Sequence, residues 1–198
     1  MNRMPSNVLV DTISAEGSMA KDALWTVGFA LLTALMAQIE IPLPYTPVPL
    51  TGQTFAVLLS GAVLGCRRGF LSQAAYLAAG AAGMPVFAGG ASTALRLLGP
   101  TGGYLWSFPI AAGLLGWLVE RGASRRGWKM ALSLVACDVL ILACGAFWLH
   151  GFFGVAHRQA WLLGFYPFLL GDILKVCLVG ITLPRLLQRG PSSAPGAR

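Results

Sequence analysis

Hydrophobic residues form six runs along the chain, and the segments between them are rich in basic residues, proline or glycine. The runs cover residues 23–39, 51–64, 70–84, 104–119, 130–149 and 167–187. Several are shorter than the roughly 20 residues that a straight helix needs to cross a bilayer, so neighbouring apolar loops must fill part of its depth. The pattern predicts an all-α integral membrane protein with six transmembrane helices.

Composition supports a chain that is solvated by lipid. Of its 198 residues, 56% are hydrophobic and 11% are charged, against about 25% charged residues in a soluble domain. We expect one membrane domain at 23–188, a cytoplasmic tail at 1–22 and a disordered tail at 189–198. Since the first 22 residues contain no apolar run with a cleavage site, we expect the first helix to act as the targeting signal.

Basic residues are distributed unevenly between the two sides of the predicted helices. Eleven of the fourteen lie in segments that six spans would place on one side: Arg3, Lys21, Arg67, Arg68, Arg121, Arg125, Arg126, Lys129, Arg185, Arg189 and Arg198. Arg96 and Arg158 lie on the other side, and Lys175 lies within a span. The positive-inside rule then predicts that both termini are cytoplasmic. This distribution explains the net charge of +7 without a nucleic-acid partner.

Three connections, at 40–50, 85–103 and 151–159, are predicted to lie outside the cell. The first two are long, apolar, and rich in proline and glycine, whereas ordinary extramembrane loops are short and polar. Such loops are suited to folding over a cavity as a lid. Interfacial loops without a ligand are the alternative.

Asp172 and Lys175 lie within the sixth hydrophobic run. A lone charge in a membrane interior costs about 2.5 to 3.5 kcal/mol on insertion scales, so such residues face protein or a watery cavity. Their i, i+3 spacing places both on one helix face. We therefore predict a binding site, with a neutralised pair that merely joins helices as the alternative. Asp138, midway along the fifth run, would contact either a ligand or a neighbouring helix.

Small residues recur at four-residue spacing in the first two runs. Ala30 and Ala34 in the first, and Gly61 and Gly65 in the second, allow close helix approach in lipid. Either pair would serve packing within the chain or docking to a separate membrane subunit.

Catalytic and metal chemistry find little support in the sequence. The cysteines, Cys66, Cys137, Cys144 and Cys177, form no CxxC pattern and are interpreted as apolar filler. His150 and His157 lack an evident third metal ligand. Without a Ser-His arrangement or an HExxH motif, an intramembrane enzyme is disfavoured.

Several motifs in order along the chain carry a resemblance to a known family. They are IPLPYTPVPLTGQTFAVLLSGAVLG at 41–65, GMPVFAGG at 83–90, LLGPTGGYL at 97–105 and FLLGDILK at 168–175. With these motifs the chain resembles the BioY family, the biotin-binding membrane subunits (S components) of energy-coupling factor (ECF) vitamin transporters. It departs from the family pattern at 91–93, where further glycines are common, and at Leu170, where proline is frequent.

The resemblance implies a six-helix subunit of the bacterial inner membrane, without catalytic activity or a cofactor, that captures biotin near the extracellular face. It also implies a transmembrane coupling protein that contacts Ala30 and Ala34, and two ATPase subunits that supply the energy. Since this chain contains no Walker motif, ATP would act only on those partners. A proton-coupled or ATP-independent carrier of a small vitamin-like carboxylate is the alternative function.

The chemistry of biotin suggests a role for each candidate residue. Asp172 would accept a hydrogen bond from a ureido N–H, Lys175 would lie near the ureido carbonyl, and Arg96 would meet the ligand carboxylate nearer the entrance. Four further residues would pack against the rings, close the cavity or add a hydrogen bond, with structural packing as the alternative for each: Phe87, Tyr45, Tyr104 and Gln53.

Overall fold

The chain folds into packed helices joined by compact loops. The computed structural model describes residues 19–188. Its α-helices are α1 (Met19–Ala37), α2 (Gln53–Ala81), α3 (Leu95–Leu98), α4 (Gly102–Glu120), α5 (Gly127–Phe153), α6 (His157–Gly164) and α7 (Leu169–Gln188). Two short strands, β1 (Glu40–Ile41) and β2 (Leu50–Thr51), and three 3-10 turns, Ala88–Gly90, Ala123–Arg125 and Tyr166–Phe168, complete the described elements.

The first helix begins earlier than the hydrophobic run predicts. It starts at Met19, so residues 19–22 of the predicted tail are helical. The predicted tails at 1–18 and 189–198 lie outside the described residues.

Helix α2 doubles back on itself at Gly65. This residue has φ 81° and ψ −174° inside an otherwise helical segment, a conformation that glycine adopts without a steric penalty. As a result, Gln73 Nε2 donates a hydrogen bond to Ser60 Oγ over 3.0 Å, although 13 residues of straight helix would span about 20 Å. Residues 53–64 and 66–81 are thus two antiparallel arms joined by a one-residue turn, where the sequence suggested a longer loop.

Close backbone contact between α2 and α4 forms the centre of the fold, and it is the most extensive helix contact in the described chain. A Cβ on Gly61 would lie 2.4 Å from Ala112 O, and one on Gly116 would lie 2.2 Å from the carbonyl carbon of Gly65. The Gly61 and Gly65 pair therefore packs within the chain, which is the first of the two predicted alternatives.

Four described helices, α1, α2, α4 and α5, are long and apolar enough to cross a membrane. The pair α6 and α7, bent by 43°, forms a fifth candidate span. These findings confirm a mostly helical chain with four to five candidate membrane spans among the described residues. The count of six spans and the side on which the termini lie stay predictions.

The bundle has two unlike ends. At one end, the loop end, the first connection contacts the second connection and helix α6: Gln38 Nε2 donates to Phe87 O, and Thr46 Oγ1 donates to Leu163 O. β1 and β2 pair antiparallel here, a hairpin that the all-helical prediction did not include. At the opposite end, the basic end, Arg68 pairs with Asp22 over 3.0 Å.

Candidate ligand-binding site

A cavity lies beneath the connections of the loop end. It encloses about 550 Å³ of space between atoms, its open mouth included. The lining residues are Val48, Pro49, Thr51, Gln53, Thr54, Phe87, Ala88, Arg96, Thr101, Tyr104, Leu105, Phe108, Leu142, Phe168, Asp172 and Lys175. Most are apolar or aromatic, and the polar lining residues include the charged Asp172, Lys175 and Arg96, a combination typical of small-molecule sites.

Asp172, Lys175 and Thr54 form a closed polar triangle in the cavity wall. Lys175 Nζ lies 2.6 Å from Asp172 Oδ1 and donates to Thr54 Oγ1 over 2.9 Å. The Thr54 hydroxyl in turn donates to Asp172 Oδ1 over 3.2 Å. Helix α7 supplies the two charges from adjacent turns, and the first turn of α2 supplies the hydroxyl. This geometry orients both charges towards the cavity.

The triangle leaves one acceptor open. Asp172 is 2% exposed, and its second oxygen, Oδ2, is buried and has no hydrogen-bond partner among residues 19–188. A buried carboxylate oxygen without a donor is costly, by about 1 to 3 kcal/mol or more for a charged group. The cavity therefore presents an acceptor that a ligand N–H or O–H would satisfy.

The polar side chain of Gln53 is held in a chain of hydrogen bonds. Its Nε2 donates to Tyr76 Oη over 2.6 Å, and that hydroxyl donates to Val86 O over 3.2 Å. Thr51 Oγ1 donates to Gln53 Oε1 over 3.0 Å. These bonds join the start of α2 to the loop after α2, so Gln53 shapes the wall and also anchors the connection above it.

Phe87 is buried and packs edge-on against Tyr76, with ring centroids 5.6 Å apart. Its position depends on Gly80, because a Cβ there would lie 2.2 Å from the Phe87 ring. The missing side chain at position 80 thus leaves room for the aromatic wall of the cavity.

Tyr104 is held in a similar way on the other side. A Cβ on Gly145 would lie 2.1 Å from its ring, and its hydroxyl donates to Gly164 O. Its ring also contacts Phe168, with centroids 6.1 Å apart. Tyr104 therefore lines the cavity while tying α4 to the connection between α6 and α7.

Arg96 lies in α3, within the long connection between α2 and α4. Its guanidinium donates to Ala88 O over 3.0 Å, which leaves other N–H donors of the planar group for a further partner. Arg96 is partly exposed and lines the cavity.

Six of the seven candidate ligand-binding residues from the sequence line this cavity: Asp172, Lys175, Arg96, Phe87, Tyr104 and Gln53. Tyr45 does not, since it is 57% exposed at the tip of the first connection. Their roles toward a ligand stay predictions. Thr54, which lines the cavity, is not among the residues predicted from the sequence. It follows Gln53 at the start of an apolar run, and a polar residue in that position could have indicated a lining residue.

Other sequence candidates lie elsewhere. Ala30 and Ala34 are partly buried on α1, away from the cavity. Asp138 is buried on α5 and is not in the lining. Among residues 19–188, no group of three or more His, Cys, Asp or Glu side chains is arranged to hold a metal ion.

Comparison with known families finds a match over almost the whole chain. Residues 5–192 match the model of the BioY family. The probable biotin transporter BioY of Pyrococcus horikoshii is 41% identical over 84% of this chain and 96% of its own length. The biotin transporter BioY of Thermotoga maritima is 40% identical over 80% of this chain and 90% of its own.

A solved structure shares the fold. The S component for biotin from an ECF-type ABC transporter superposes with a TM-score of 0.81 at 23% identity, covering 86% of this chain and 93% of that one. At this identity the likeness concerns the fold alone.

Proposed function

The chain belongs to the BioY family, and from this premise we propose that it binds biotin as the substrate-binding subunit of an ECF-type ABC transporter. It is a transport protein and not an enzyme. The observation that carries the ligand assignment is the open acceptor Asp172 Oδ2 in the cavity wall. Biotin carries two ureido N–H donors, and an ionised carboxylate accepts such bonds strongly.

The rest of the cavity complements the rest of biotin. Lys175 is committed to Asp172 and Thr54 through two of its three N–H donors, and the third is assigned to the ureido carbonyl. Phe108, Leu142 and Phe168 supply apolar surface for the fused rings. Arg96 is assigned to the ligand carboxylate, because it is the cationic lining residue outside the Asp172–Lys175 pair. Tyr45 is assigned to closure of the entrance from its exposed position.

The finer topology belongs to the same proposal. The two antiparallel arms of α2, together with α1, α4, α5 and the bent pair α6 and α7, give six crossings of the bilayer. This path places the basic residues of 67–68 and 121–129 at the end opposite the cavity. By the positive-inside rule that end is cytoplasmic, in a bacterial inner membrane, and the cavity faces out.

The direct test is a titration of the purified wild-type protein with labelled biotin. We expect tight, saturable binding, and competition by desthiobiotin, which keeps the ureido group. Lipoate, a carboxylic acid of similar length without a ureido group, is the matched control and should not compete. Equal competition by lipoate would show that the carboxylate alone is recognised, and would contradict the ureido assignment.

Coupling to a partner is assigned to the face of α1 that carries Ala30 and Ala34. Both are small and partly buried beside the core, and small residues allow close approach of another helix in lipid. Tryptophan at both positions should abolish ATP-driven biotin uptake in cells that hold the coupling module, yet leave biotin affinity unchanged. Leu35→Trp, at an exposed position of the same helix, is the control and should transport normally.

Two other outcomes are informative. Loss of biotin binding along with uptake in the Ala30→Trp, Ala34→Trp variant would assign the pair to internal packing. Uptake that survives ATP depletion but stops when the proton gradient collapses would favour the alternative, a proton-coupled carrier.

A further inference from the structure

Asp138 is a buried acid that the proposed site does not use. It lies on α5, is 5% exposed, and its Oδ1 is buried without a hydrogen-bond partner among residues 19–188. Only one other described residue, Asp172, has a buried side-chain oxygen in the same condition. An ionised carboxylate in such a place is strongly unfavourable in a membrane interior.

The position of Asp138 places it under the floor of the cavity. Leu142, which lines the cavity, lies four residues later on the same face of α5, so Asp138 is about 6 Å deeper. On α7, Lys175 lies about 4.5 Å deeper than Asp172 by the same rise per residue. Helices α5 and α7 pack against each other, and Asp138 lies within electrostatic range of both charges.

The charge balance of this cluster has two possible states. Lys175 neutralises Asp172 at 2.6 Å and binds Thr54 with a second donor. An ionised Asp138 would give the buried cluster a net charge of −1 and would compete for the same ammonium, whereas a protonated Asp138 leaves the cluster neutral. Protonating Asp138 costs far less free energy than burying its carboxylate as an unpaired charge.

Apart from Lys175, the cation that lines the cavity among the described residues is Arg96 of α3. Its guanidinium donates to Ala88 O and is assigned above to the ligand carboxylate, so it is not a dedicated counter-charge for Asp138. The groups of α2 and α4 near the cavity, Gln53, Thr54, Tyr76 and Tyr104, are neutral and mostly bonded to one another or to backbone. Arg67 and Arg68 lie at the basic end, with Arg68 paired to Asp22. On α5 itself the adjacent titratable group is Cys137, which is also buried.

We infer that Asp138 carries a proton beneath the cavity, and that this proton is required for tight binding of an anionic ligand above it. The inference rests on the proposed function, because it takes biotin as the anion. When Asp138 is neutral, Lys175 stays paired with Asp172. Asp172 Oδ2 can then accept from the ureido N–H while the ammonium donates to the ureido carbonyl. Loss of the proton adds a negative charge to a site that must also accept the ligand carboxylate.

The sign of the pH dependence follows from this assignment. Because the protonated form binds biotin better, affinity should fall as pH rises through the titration of Asp138, by up to about tenfold per pH unit for a single linked proton. By the same linkage, biotin binding should be accompanied by proton uptake in that pH range. Asp138 is therefore a positioning residue that acts through Lys175.

The experiment compares wild-type protein with Asp138→Asn and Asp138→Leu in lipid nanodiscs, titrated with labelled biotin between pH 6 and pH 9. Asparagine mimics the protonated acid, so Asp138→Asn should bind within about threefold of wild type at pH 6 and should not weaken as pH rises. Asp138→Leu, which keeps the site neutral but removes the polar group, should likewise lose the pH dependence. Biotin methyl ester, which lacks the carboxylate charge, should show a smaller pH dependence with wild type.

Calorimetry of wild type in two buffers of different ionisation enthalpy measures proton uptake without any variant. No uptake, together with pH curves that coincide for wild type and Asp138→Asn, would overturn the inference while leaving biotin binding intact. Loss of binding in Asp138→Asn as severe as in Asp172→Asn would also overturn it, since an ionised Asp138 would then be required. Absence of biotin binding by wild type at every pH would defeat the proposed function, and the inference with it.

Discussion

Two of the buried polar clusters between the helices differ in charge, in contact with the cavity and in whether every buried polar atom has a hydrogen-bond partner. Gln73, 0% exposed, bonds to Thr33 of α1 and to Ser60 and Ser72 of α2, so the cluster is uncharged and none of its buried side-chain atoms lacks a partner. The Asp172–Lys175–Thr54 triangle is charged, borders a cavity and keeps one oxygen without a donor. Burial of polar groups therefore does not by itself indicate a binding site. A buried polar atom that borders a cavity and lacks a hydrogen-bond partner does.

The largest expected effect is in the charged cluster. Asp172→Asn removes the open carboxylate acceptor and leaves the Lys175 ammonium partly buried without its counter-charge. Breaking a buried pair costs about 3 to 5 kcal/mol, and we expect biotin affinity to fall by at least about a hundredfold. Affinity is measured with labelled biotin on purified protein.

The matched control is Asp22→Asn at the basic end, where the carboxylate also forms an ion pair, with Arg68, but borders no part of the cavity. It should bind biotin like wild type. Wild-type affinity in a correctly folded Asp172→Asn protein would remove the distinction between the two clusters.

The uncharged cluster should show the opposite behaviour. Gln73→Leu leaves Ser60 and Thr33 without their amide partner, so we expect a loss of about 1 to 3 kcal/mol in the free energy of unfolding. Biotin affinity of the folded fraction should stay within about threefold of wild type. Thermal unfolding and biotin binding, measured on the same preparation, check both parts. A large affinity loss without a change in thermal stability would assign Gln73 to the site.

Thr54 should give a smaller loss of affinity than Asp172, because it only supports the charged pair. Thr54→Val removes the hydroxyl that accepts from Lys175 and donates to Asp172. A lost hydrogen bond to charged groups is worth about 1.5 to 3 kcal/mol, so we expect affinity to fall roughly tenfold or more. Thr54→Ser keeps the hydroxyl and should restore binding. Equal loss in both variants would point to packing of the methyl group instead.

Sequence reasoning found the charged part of the candidate site because charge is rare in apolar runs. Asp172 and Lys175 stand out in any such run, and Arg96 does so in its connection. The predicted spans place all three residues toward the same side of the membrane, and in the structure they line one cavity. Thr54 was missed because a hydroxyl is common in membrane helices and its bridging role depends on the contact between α2 and α7.

The backbone was harder to predict where one residue decides the path. The hydrophobic pattern predicts one run before residue 65 and another after residue 69, joined by a loop through the basic residues 67 and 68. In the structure the chain turns at Gly65 alone, and the basic residues are helical. Tyr45 looked like the other aromatic candidates, yet it lies at an exposed tip, since proline-rich connections have no periodicity that reveals which side faces inward. The β1–β2 hairpin was missed because two residues per strand give no alternation to read.

Gly80 and Gly145 stand behind the aromatic walls of the cavity and touch no ligand. Any side chain there would push Phe87 or Tyr104 forward, because the rings already occupy the space that a methyl group would take. The cavity volume available to a ligand is therefore set by two glycines that lie behind the aromatic rings. A lineage could narrow its cargo range by adding bulk at these two positions, while every group that faces the cargo stayed the same.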